Sequence, residues 1–600
     1  MGPNACPLTT SPHRSDLSQN RRTISDFRPD QNPIKTLTMS LRPFTLPERL
    51  ATGLLRGGAL FVAALCFLPM LAVAVAAAFG STDTFRHLAD TVLWTYSATT
   101  LKLVVIVALG TAAIGTGAAW LVTMTRFPGA RFFEIGLALP MAFPAYVMGY
   151  AYTDFLDHPG AVQSLLRDVT GLGPRDYWFP EIRSVEGAAI MLILVLYPYV
   201  YLLARAAFLQ QSATAFLAAR ALGRGPWYAF LRVSLPMARP AIAGGVLLAV
   251  METIADYGTV SYFSVQTFAT GIYTSWFTMA DRAAAAQLAL CLLAFALLLA
   301  ILERIQRGAA RHHGAGKRFE RLPPTQLTGL QKWGAMALCG LPVLFGFALP
   351  LVLLLLMGMD SEQSLFSERY LRFTRNTVIL ATTAALLTVL GAILIGFRQR
   401  LWPGRVSSLA GHVSRVGYAV PGGVIAVGLL VPFAALDNTL DAWMRATFGL
   451  STGLLFTGSI WLLVIAYMVR FMAAALNAYD SGLGTIHPNV DSVTRTLGKP
   501  PLEMLRRVHV PILRPSVLTG LLIVFVDTMK ELPATLIMRP FNFDTLAVQA
   551  HRLAADERLD GAAVPSLVLV AVGLLPVIIV CRNLGERKSR VYGPAPVAAE

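Results

Sequence analysis

The sequence predicts an all-α polytopic membrane protein, with about twelve transmembrane helices arranged as two pseudo-equivalent halves of six. Three observations lead to this fold class: the composition, a series of long apolar runs and an internal repeat. Of the 600 residues, 55% are hydrophobic and only 14% are charged, whereas a soluble globular domain carries roughly 25% charged residues. This charge content is too low to solvate the surface of a soluble protein, so the chain must present apolar surface to lipid.

Long apolar runs divide the chain into two groups of six. A helix that crosses a bilayer needs about 20 mostly apolar residues. Runs of this kind lie near 59–79, 101–123, 135–153, 187–208, 241–263 and 283–302, and then near 334–357, 377–397, 415–436, 454–476, 516–537 and 564–581. The predicted organisation is a polar N-terminal tail (1–50), a first half (51–302), a basic linker (303–332), a second half (333–582) and a C-terminal tail (583–600).

The distribution of basic residues predicts the orientation. The net charge is +16, which in a soluble protein would suggest nucleic acid as a partner. Here the basic residues concentrate in the N-terminal flank, the loops after the second and fourth runs, and the linker. The positive-inside rule places these segments, and therefore both termini, in the cytoplasm, so no nucleic-acid partner is expected.

The N-terminal segment 1–38 lacks the apolar core of a signal peptide. We expect either a disordered tail or a start assigned too early, with Met39 as the initiator.

An internal repeat relates the two halves. Residues 219–245 align without a gap with residues 494–520 at an offset of 275, with identical residues at Gly223 and Gly498 and at Pro236 and Pro511, among others. Each copy lies between the fourth and fifth apolar runs of its half. The halves are therefore expected to be duplicated in the same orientation, about an axis along the membrane normal.

The repeated segment predicts a helix–turn–helix on the cytoplasmic face. The two glycines permit a left-handed or tightly turned backbone, and the two prolines are expected to mark the start of the next helix. Such a loop offers a docking surface to a soluble partner.

The spacing of the repeat resembles the "EAA" loop of binding-protein-dependent ABC importer permeases. The first copy has Leu217-Ala218-Ala219, Gly223 and Leu235-Pro236, and the second has Ser492-Val493-Thr494, Gly498 and Val510-Pro511. The glutamate of the family motif is missing from both copies. The resemblance implies ATPase-coupling loops that contain Ala218, Ala219, Gly223, Pro236, Thr494, Gly498 and Pro511.

Three further segments, 137–156, 251–277 and 527–550, are similar to the ferric-iron permeases of that family, in which two permease halves are fused in one chain. This resemblance implies a multi-pass protein of the bacterial inner membrane that passes ferric iron to the cytoplasm. Its partners would be a dimeric cytoplasmic ATP-binding subunit, a periplasmic iron-binding protein and membrane lipid. No cofactor and no tight metal site are expected, because a conduit must release its cargo.

Four acidic residues inside apolar runs are candidates for the translocation pathway. Glu252 and Asp256 lie in the fifth run, and Asp527 and Glu531 occupy the matching positions, 275 residues later. A spacing of four predicts that each pair shares one helix face, and acids inside a bilayer usually face a bundle interior. A structural role remains open: an interhelical hydrogen bond, or neutralisation by the neighbouring Lys530.

Aromatic residues and prolines near the runs give two further expectations. Tyrosines 146, 150, 152, 257 and 262 can donate phenolate ligands to iron, but interfacial anchors are the more frequent role of such residues. Pro140, Pro144 and Pro421 are expected to kink or break helices near the pathway.

The sequence contains no enzyme motif. Gly314-Ala315-Gly316-Lys317 is followed by Arg318, so it lacks the Ser/Thr of a phosphate-binding P-loop, and the energy source must be another chain. Two alternatives remain: an ABC permease for thiamine, phosphonate or a polyamine, and a secondary transporter. Paired docking loops favour the ABC class, since a secondary transporter needs no ATPase.

Overall fold

The computed structural model describes residues 46–209, 225–307, 325–361, 363, 367–484 and 486–591. Within these residues, eleven helices are long and apolar enough to cross a membrane, and a bent pair, Ala130–Ala142 with Ala145–Thr170, supplies a twelfth span. The predicted class, an all-α membrane protein with six spans in each half, is confirmed.

The helices of the first half are α1 (Leu46–Phe79), α2 (Asp83–Thr91), α3 (Leu93–Met124), α4 (Ala130–Gly136), α5 (Ala145–Leu156), α6 (Ala161–Thr170), α7 (Val185–Leu209), α8 (Pro226–Ala229), α9 (Leu235–Ala255), α10 (Gly258–Tyr262), α11 (Phe268–Tyr273) and α12 (Arg282–Arg307). Those of the second half are α13 (Leu330–Val343), α14 (Leu349–Asp360), α15 (Glu368–Leu401), α16 (Arg405–Val416), α17 (Gly422–Phe448), α18 (Ile460–Leu483), α19 (Pro488–Thr496), α20 (Pro501–Met504), α21 (Val510–Lys530), α22 (Pro533–Met538), α23 (Leu546–Ala555) and α24 (Leu559–Val591). Short 3-10 turns cover Leu139–Ala142 and Gly417–Ala419.

The first helix of each half packs against the other half. Helix α1 contacts α15, α16 and α17, while α13 and α14 contact elements of the first half that include α3, α4 and α5. The two largest clusters of buried apolar side chains accordingly contain residues from both halves. The interface between the halves is therefore part of the hydrophobic core.

The third span of the first half is broken at Pro144. Its two segments meet at 92°, and Phe143 and Pro144 are extended between them. The residue before a proline is pushed out of the helical region, and the proline itself lacks an N–H donor. Pro421 stands at the matching break in the second half, between the 3-10 turn and α17. The expectation that these two prolines interrupt helices is confirmed.

The repeat in the sequence is also a repeat of backbone geometry. Helices α8 and α20, the π-helical turns Phe230–Ser234 and Leu505–His509, and helices α9 and α21 all begin at positions that differ by 275. Pro236 and Pro511 are the second residues of α9 and α21, so the expectation that they mark the start of these helices is confirmed, and each helix continues directly from its π turn. A wider π turn before each proline accommodates the missing donor and the bulk of the ring.

The described part of the linker joins the first half through a short parallel bridge. Strand β1 (Thr125–Arg126) pairs with β2 (Thr325–Gln326), so the loop after α3 and the end of the linker lie on the same side of the molecule. Helix α12 continues to Arg307, and α13 begins at Leu330. Most of the predicted N-terminal tail, the middle of the linker and the last nine residues lie outside the described residues.

Candidate functional site

A cavity of about 110 Å³ lies between the two halves and is lined by all four acidic candidates. Glu252 and Asp256 enter it from the first half, and Asp527 and Glu531 enter it from the second. The remaining charged and aromatic lining consists of Tyr146, Tyr199, Arg470, Phe143, Phe471 and Lys530. The structure therefore brings together the acids that the repeat singled out.

The two acids of each pair line the same cavity, and the second acid is the first residue after its helix. Helix α9 ends at Ala255 and α21 ends at Lys530, and the next residue, Asp256 or Glu531, is extended. The carboxylate of Asp256 accepts hydrogen bonds from the amides of Thr259 and Val260 at 3.0 and 3.2 Å. Each break thus begins a new short helix whose first amides are held by a carboxylate.

Glu531 makes the equivalent contacts in the second half. Its side-chain oxygens accept hydrogen bonds from the amides of Ala534 at 3.0 Å and Thr535 at 3.2 Å. The hydroxyl of Thr535 also donates to it at 3.0 Å. Asp256 and Glu531 therefore anchor α10 and α22, which is a structural role in addition to their place at the cavity wall.

Glu252 and Asp527 lie one turn earlier and accept no amide hydrogen bond in the described structure. The hydroxyl of Tyr418 donates to Glu252 at 3.1 Å. Lys530 lies 3.2 Å from Asp527, and its ammonium also donates to the carbonyl of Met141 at 3.3 Å. Neutralisation by Lys530, which the sequence suggested as a structural role, therefore applies to Asp527.

Arg470 is a charged residue of the cavity wall that the sequence analysis did not single out. It lies in α18 with its side chain 9% exposed, and its guanidinium is 3.6 Å from Glu252 and 3.9 Å from Glu531. It thus connects a carboxylate of the first half to one of the second. A lone arginine in the apolar run 454–476 was the available signal, since a charge at such a position is costly and usually functional.

For four of the five tyrosines the expectation of interfacial anchors is wrong, because their side chains are buried inside the protein. Tyr146, Tyr150, Tyr152 and Tyr262 are each at most 8% exposed. They are part of a buried cluster that draws residues from both halves. Tyr257 stacks on Tyr273 with ring centroids 3.7 Å apart. Interdigitation of the two halves explains the difference, because it buries a face that would meet the membrane surface in an isolated half.

The second repeated loop has the backbone that its glycine predicts. Helix α19 ends at Thr496, and Gly498 follows with a φ of +70°. A Cβ atom at Gly498 would meet no heavy atom of the described residues within 4 Å. The glycine is therefore needed for its backbone conformation and not for space. In the first loop, Ala218, Ala219 and Gly223 lie outside the described residues.

The side chains that the second loop exposes are not at the motif position Thr494, which the resemblance placed in the coupling loop. Thr494 is 8% exposed, and its hydroxyl donates to the carbonyl of Val490 at 2.8 Å. Val493 and Leu497, in contrast, are 55% and 70% exposed. The apolar side chains available to a partner on this loop are therefore neighbours of the motif position.

A second ion pair crosses between the halves away from the cavity. Arg183 donates to both carboxylate oxygens of Glu557, at 2.9 and 3.0 Å, and lies 3.2 Å from Asp157. The hydrogen bonds from Arg183 lower the pKa of Glu557, although partial burial opposes this shift. The pair is partly exposed, so it contributes little stability.

No three His, Cys, Asp or Glu side chains in the described ranges converge closely enough to hold a metal ion. The cavity carries four carboxylates against two basic groups, an excess of two negative charges when all are ionised. This arrangement can attract a cation electrostatically without enclosing it in a complete ligand set.

Comparison with known proteins gives a family match in each half. The family model described as "Binding-protein-dependent transport system inner membrane component" matches residues 111–312 and 388–590. Both matched segments contain one copy of the repeated loop and one pair of cavity acids.

Three relatives illustrate the range of similarity. The "Fe(3+)-transport system permease protein FbpB 2" of Haemophilus influenzae is 24% identical over 495 residues, which cover 80% of this chain and 88% of the relative. The "Ferric transport system permease protein FbpB" of Actinobacillus pleuropneumoniae is 24% identical over 69% of this chain and 60% of the relative. The "Molybdenum transport system permease protein ModB" of Escherichia coli is 26% identical over 34% of this chain and 89% of the relative.

Proposed function

Because this chain belongs to the family of binding-protein-dependent transport system inner membrane components, we propose that it is the fused, two-half permease subunit of an ATP-driven importer. Ferric iron would pass from a periplasmic binding protein, through the cavity between the halves, to the cytoplasm. The ATP would be hydrolysed by a separate subunit, and this chain would itself be non-catalytic.

The observation that carries the proposal is the convergence of Glu252, Asp256, Asp527 and Glu531 on one cavity at the interface of the halves. An acidic, oxygen-rich wall suits a hard trivalent cation. The absence of a complete ligand set among the described residues suits a route that must release its cargo. The names of the two ferric relatives agree with this cargo.

Coupling to the ATPase is assigned to the two repeated loops, with Gly223 and Gly498 at their turns. The exposed apolar side chains of Val493 and Leu497 offer a contact surface on the second loop. Closure of an ATPase dimer that holds both loops would move both halves together, and their interlocked first helices would transmit that movement across the interface.

An oxyanion importer is the second candidate, because a molybdenum permease matches a third of this chain. The excess of negative charge in the cavity disfavours an anion.

The test is radioactive iron uptake into proteoliposomes that contain this chain, with and without a co-purified ATPase subunit and an iron-loaded binding protein. Uptake that requires ATP and both partners supports the proposal. Uptake driven by an ion gradient alone supports a secondary transporter instead, and uptake of molybdate but not iron supports the oxyanion alternative.

The proposed orientation has both termini and the linker in the cytoplasm. Reporter fusions at Asp168 and Asp441 should be on the periplasmic side, and a fusion at Arg311 should be on the cytoplasmic side. A cytoplasmic reporter at Asp168 would contradict the proposed orientation.

A further inference from the structure

The acids of the cavity are duplicated in the two halves, whereas its bases are not. At the offset of 275 residues, Glu252 matches Asp527, and Asp256 matches Glu531. Arg470 and Lys530 correspond instead to Val195 and Ala255, which line the same cavity. Both positive charges therefore come from the second half and are an addition to a symmetric acidic framework.

Arg470 holds its carboxylates loosely. Its Nη2 is 3.6 Å from Glu252, its Nη1 is 3.9 Å from Glu531, and Nη1 is buried with no hydrogen-bond partner in the part of the chain that the structure describes. These distances exceed the usual range for a charge-assisted hydrogen bond. By contrast, Arg183 donates two hydrogen bonds of 2.9 and 3.0 Å to Glu557. The guanidinium of Arg470 thus neutralises two acids without the contacts that would fix it in place.

A second unpartnered donor lines the same cavity. The hydroxyl of Tyr146, a residue 4% exposed, has no hydrogen-bond partner among the described residues. Buried donors without partners are unfavourable, so both Tyr146 and Arg470 would gain from a ligand that brings oxygen atoms. A cavity of about 110 Å³ has room for a metal ion with a few oxygen ligands, because about 10–15 Å³ measured in this way holds one water molecule.

From this geometry we propose that the cavity is a binding site for a multivalent cation that carries water or hydroxide ligands, and that the guanidinium of Arg470 occupies the cation's place until cargo displaces it. In the occupied state, Glu252 faces the cation, while Asp256 and Glu531 stay bound to their helix amides. The donors of Arg470 and Tyr146 bind oxygen ligands of the cation. The inference rests on the proposed function only for the identity of the cargo.

A close contact limits how Arg470 can move. A Cβ atom at Gly422 would lie 2.8 Å from Nη1 of Arg470 and 2.5 Å from the side chain of Glu531. Gly422, in the first turn of α17, therefore leaves the space that the guanidinium occupies beside Glu531. Displacement must carry the arginine away from α17, within the cavity.

The test is binding of Tb³⁺, a hard trivalent cation whose luminescence is sensitised by nearby tyrosines, to the full-length chain in lipid nanodiscs. The variant Arg470→Gln removes the competing charge while keeping a polar side chain. We expect its Kd for Tb³⁺ to fall at least tenfold below that of the wild type. Arg470→Lys should change Kd less, and Arg183→Gln, which removes a positive charge outside the cavity, should leave it unchanged.

Two further variants keep the test decisive. Glu252→Gln should weaken Tb³⁺ binding about tenfold, and Glu252→Gln combined with Arg470→Gln should return Kd to within a few fold of the wild type. This double variant removes both partners of the ion pair. Its Kd for Tb³⁺ can therefore be measured even if Arg470→Gln alone inserts poorly into the membrane.

Unchanged or weaker Tb³⁺ binding by an inserted Arg470→Gln chain would overturn the inference. Binding of an oxyanion such as molybdate that is lost in Arg470→Gln would also overturn it, and would make the cavity an anion site. ATP-dependent iron uptake by the wild type can persist in either case, so failure of this inference is distinguishable from failure of the proposed function.

Discussion

The Nε2 atom of His509 lies 2.8 Å from a carboxylate oxygen of Asp491, inside the second copy of the repeated loop. Arg400 donates to the other oxygen of Asp491 at 2.6 Å. Burial disfavours the charged carboxylate, but the hydrogen bonds from Arg400 and His509 outweigh burial and lower the pKa of Asp491. This buried network ties α19 to α15 and to the π turn before α21. At the matching positions, the first copy has Phe216 and Ser234 in place of Asp491 and His509.

The first prediction concerns this network. Replacing Asp491 with Ala leaves Arg400 and His509 without their acceptor, at a cost of about 2–3 kcal/mol. We expect faster hydrogen exchange across 488–496 and less co-purified ATPase, because α19 keeps only its weaker attachment to α15, the hydrogen bond of 3.3 Å from Arg495 to the carbonyl of Leu401. Lys499→Ala, which breaks an exposed pair with Glu503 on the same loop, should change both readouts little. Equal effects of the two variants would contradict this role.

The second prediction concerns the turn in the loop. Valine at Gly498 must adopt a φ of +70°, which costs about 1–2 kcal/mol for a residue with a side chain. ATPase co-purification and iron uptake should fall while expression stays normal, and adding Gly223→Val should lower both further. Gly498→Asn is the matched control, because asparagine tolerates this conformation. If the valine and asparagine variants behave alike, the backbone of this turn is not what couples the loop to the ATPase.

The third prediction separates the two kinds of cavity acid. Asp256→Ala with Glu531→Ala removes the acceptor oxygens from each break, and loss of a helix cap costs about 1 kcal/mol. Hydrogen exchange should rise at the amides of residues 259, 260, 534 and 535. Glu252→Gln with Asp527→Asn should leave exchange at those amides unchanged, since neither side chain accepts from them in the described structure. Unchanged exchange in the first variant would refute the anchoring role.

The fourth prediction is a pH dependence at Arg183 and Glu557. The pKa of Glu557 is lowered from its ordinary value of 4.5, first by the hydrogen bond from Arg183. Stabilisation by this pair is therefore fully present above pH 4.5 and is lost as the pH falls through the lowered pKa. Thermal unfolding of wild type and Glu557→Gln should differ slightly and constantly from pH 7 to 5, and the difference should vanish in stronger acid. A difference that grows on acidification would have the wrong sign.

The fold could be predicted from the sequence because its signals are long and repeated. Twelve apolar runs located the twelve spans, and the 275-residue offset predicted the matching geometry of the two halves. Gly498 was predicted from the same repeat, since a glycine between two helical stretches at a fixed spacing indicates a turn with positive φ.

The details of the cavity could not be predicted, for physical reasons. The run 241–263 is long enough to be read as one span that contains a single aspartate, so its length gives no sign that the helix stops at Ala255 and that Asp256 accepts hydrogen bonds from the first amides of the next helix. Arg470 lies in an apolar run whose partners, Glu252 and Glu531, are far away in sequence. The buried tyrosines depend on the packing of one half against the other, which periodicity within a run does not encode.

Iron uptake by the double variant Glu252→Gln with Asp527→Asn tests the central claim most directly. The measurement is ATP-dependent uptake of radioactive ferric iron into proteoliposomes, at equal amounts of inserted chain and co-purified ATPase. Neither Glu252 nor Asp527 accepts a hydrogen bond from a helix amide in the described structure. Removing their two charges should lower uptake at least tenfold, because the cavity then loses its excess of negative charge. ATP hydrolysis stimulated by the iron-loaded binding protein should persist. Uptake equal to the wild type would contradict the account, since iron would then cross by a route other than this cavity.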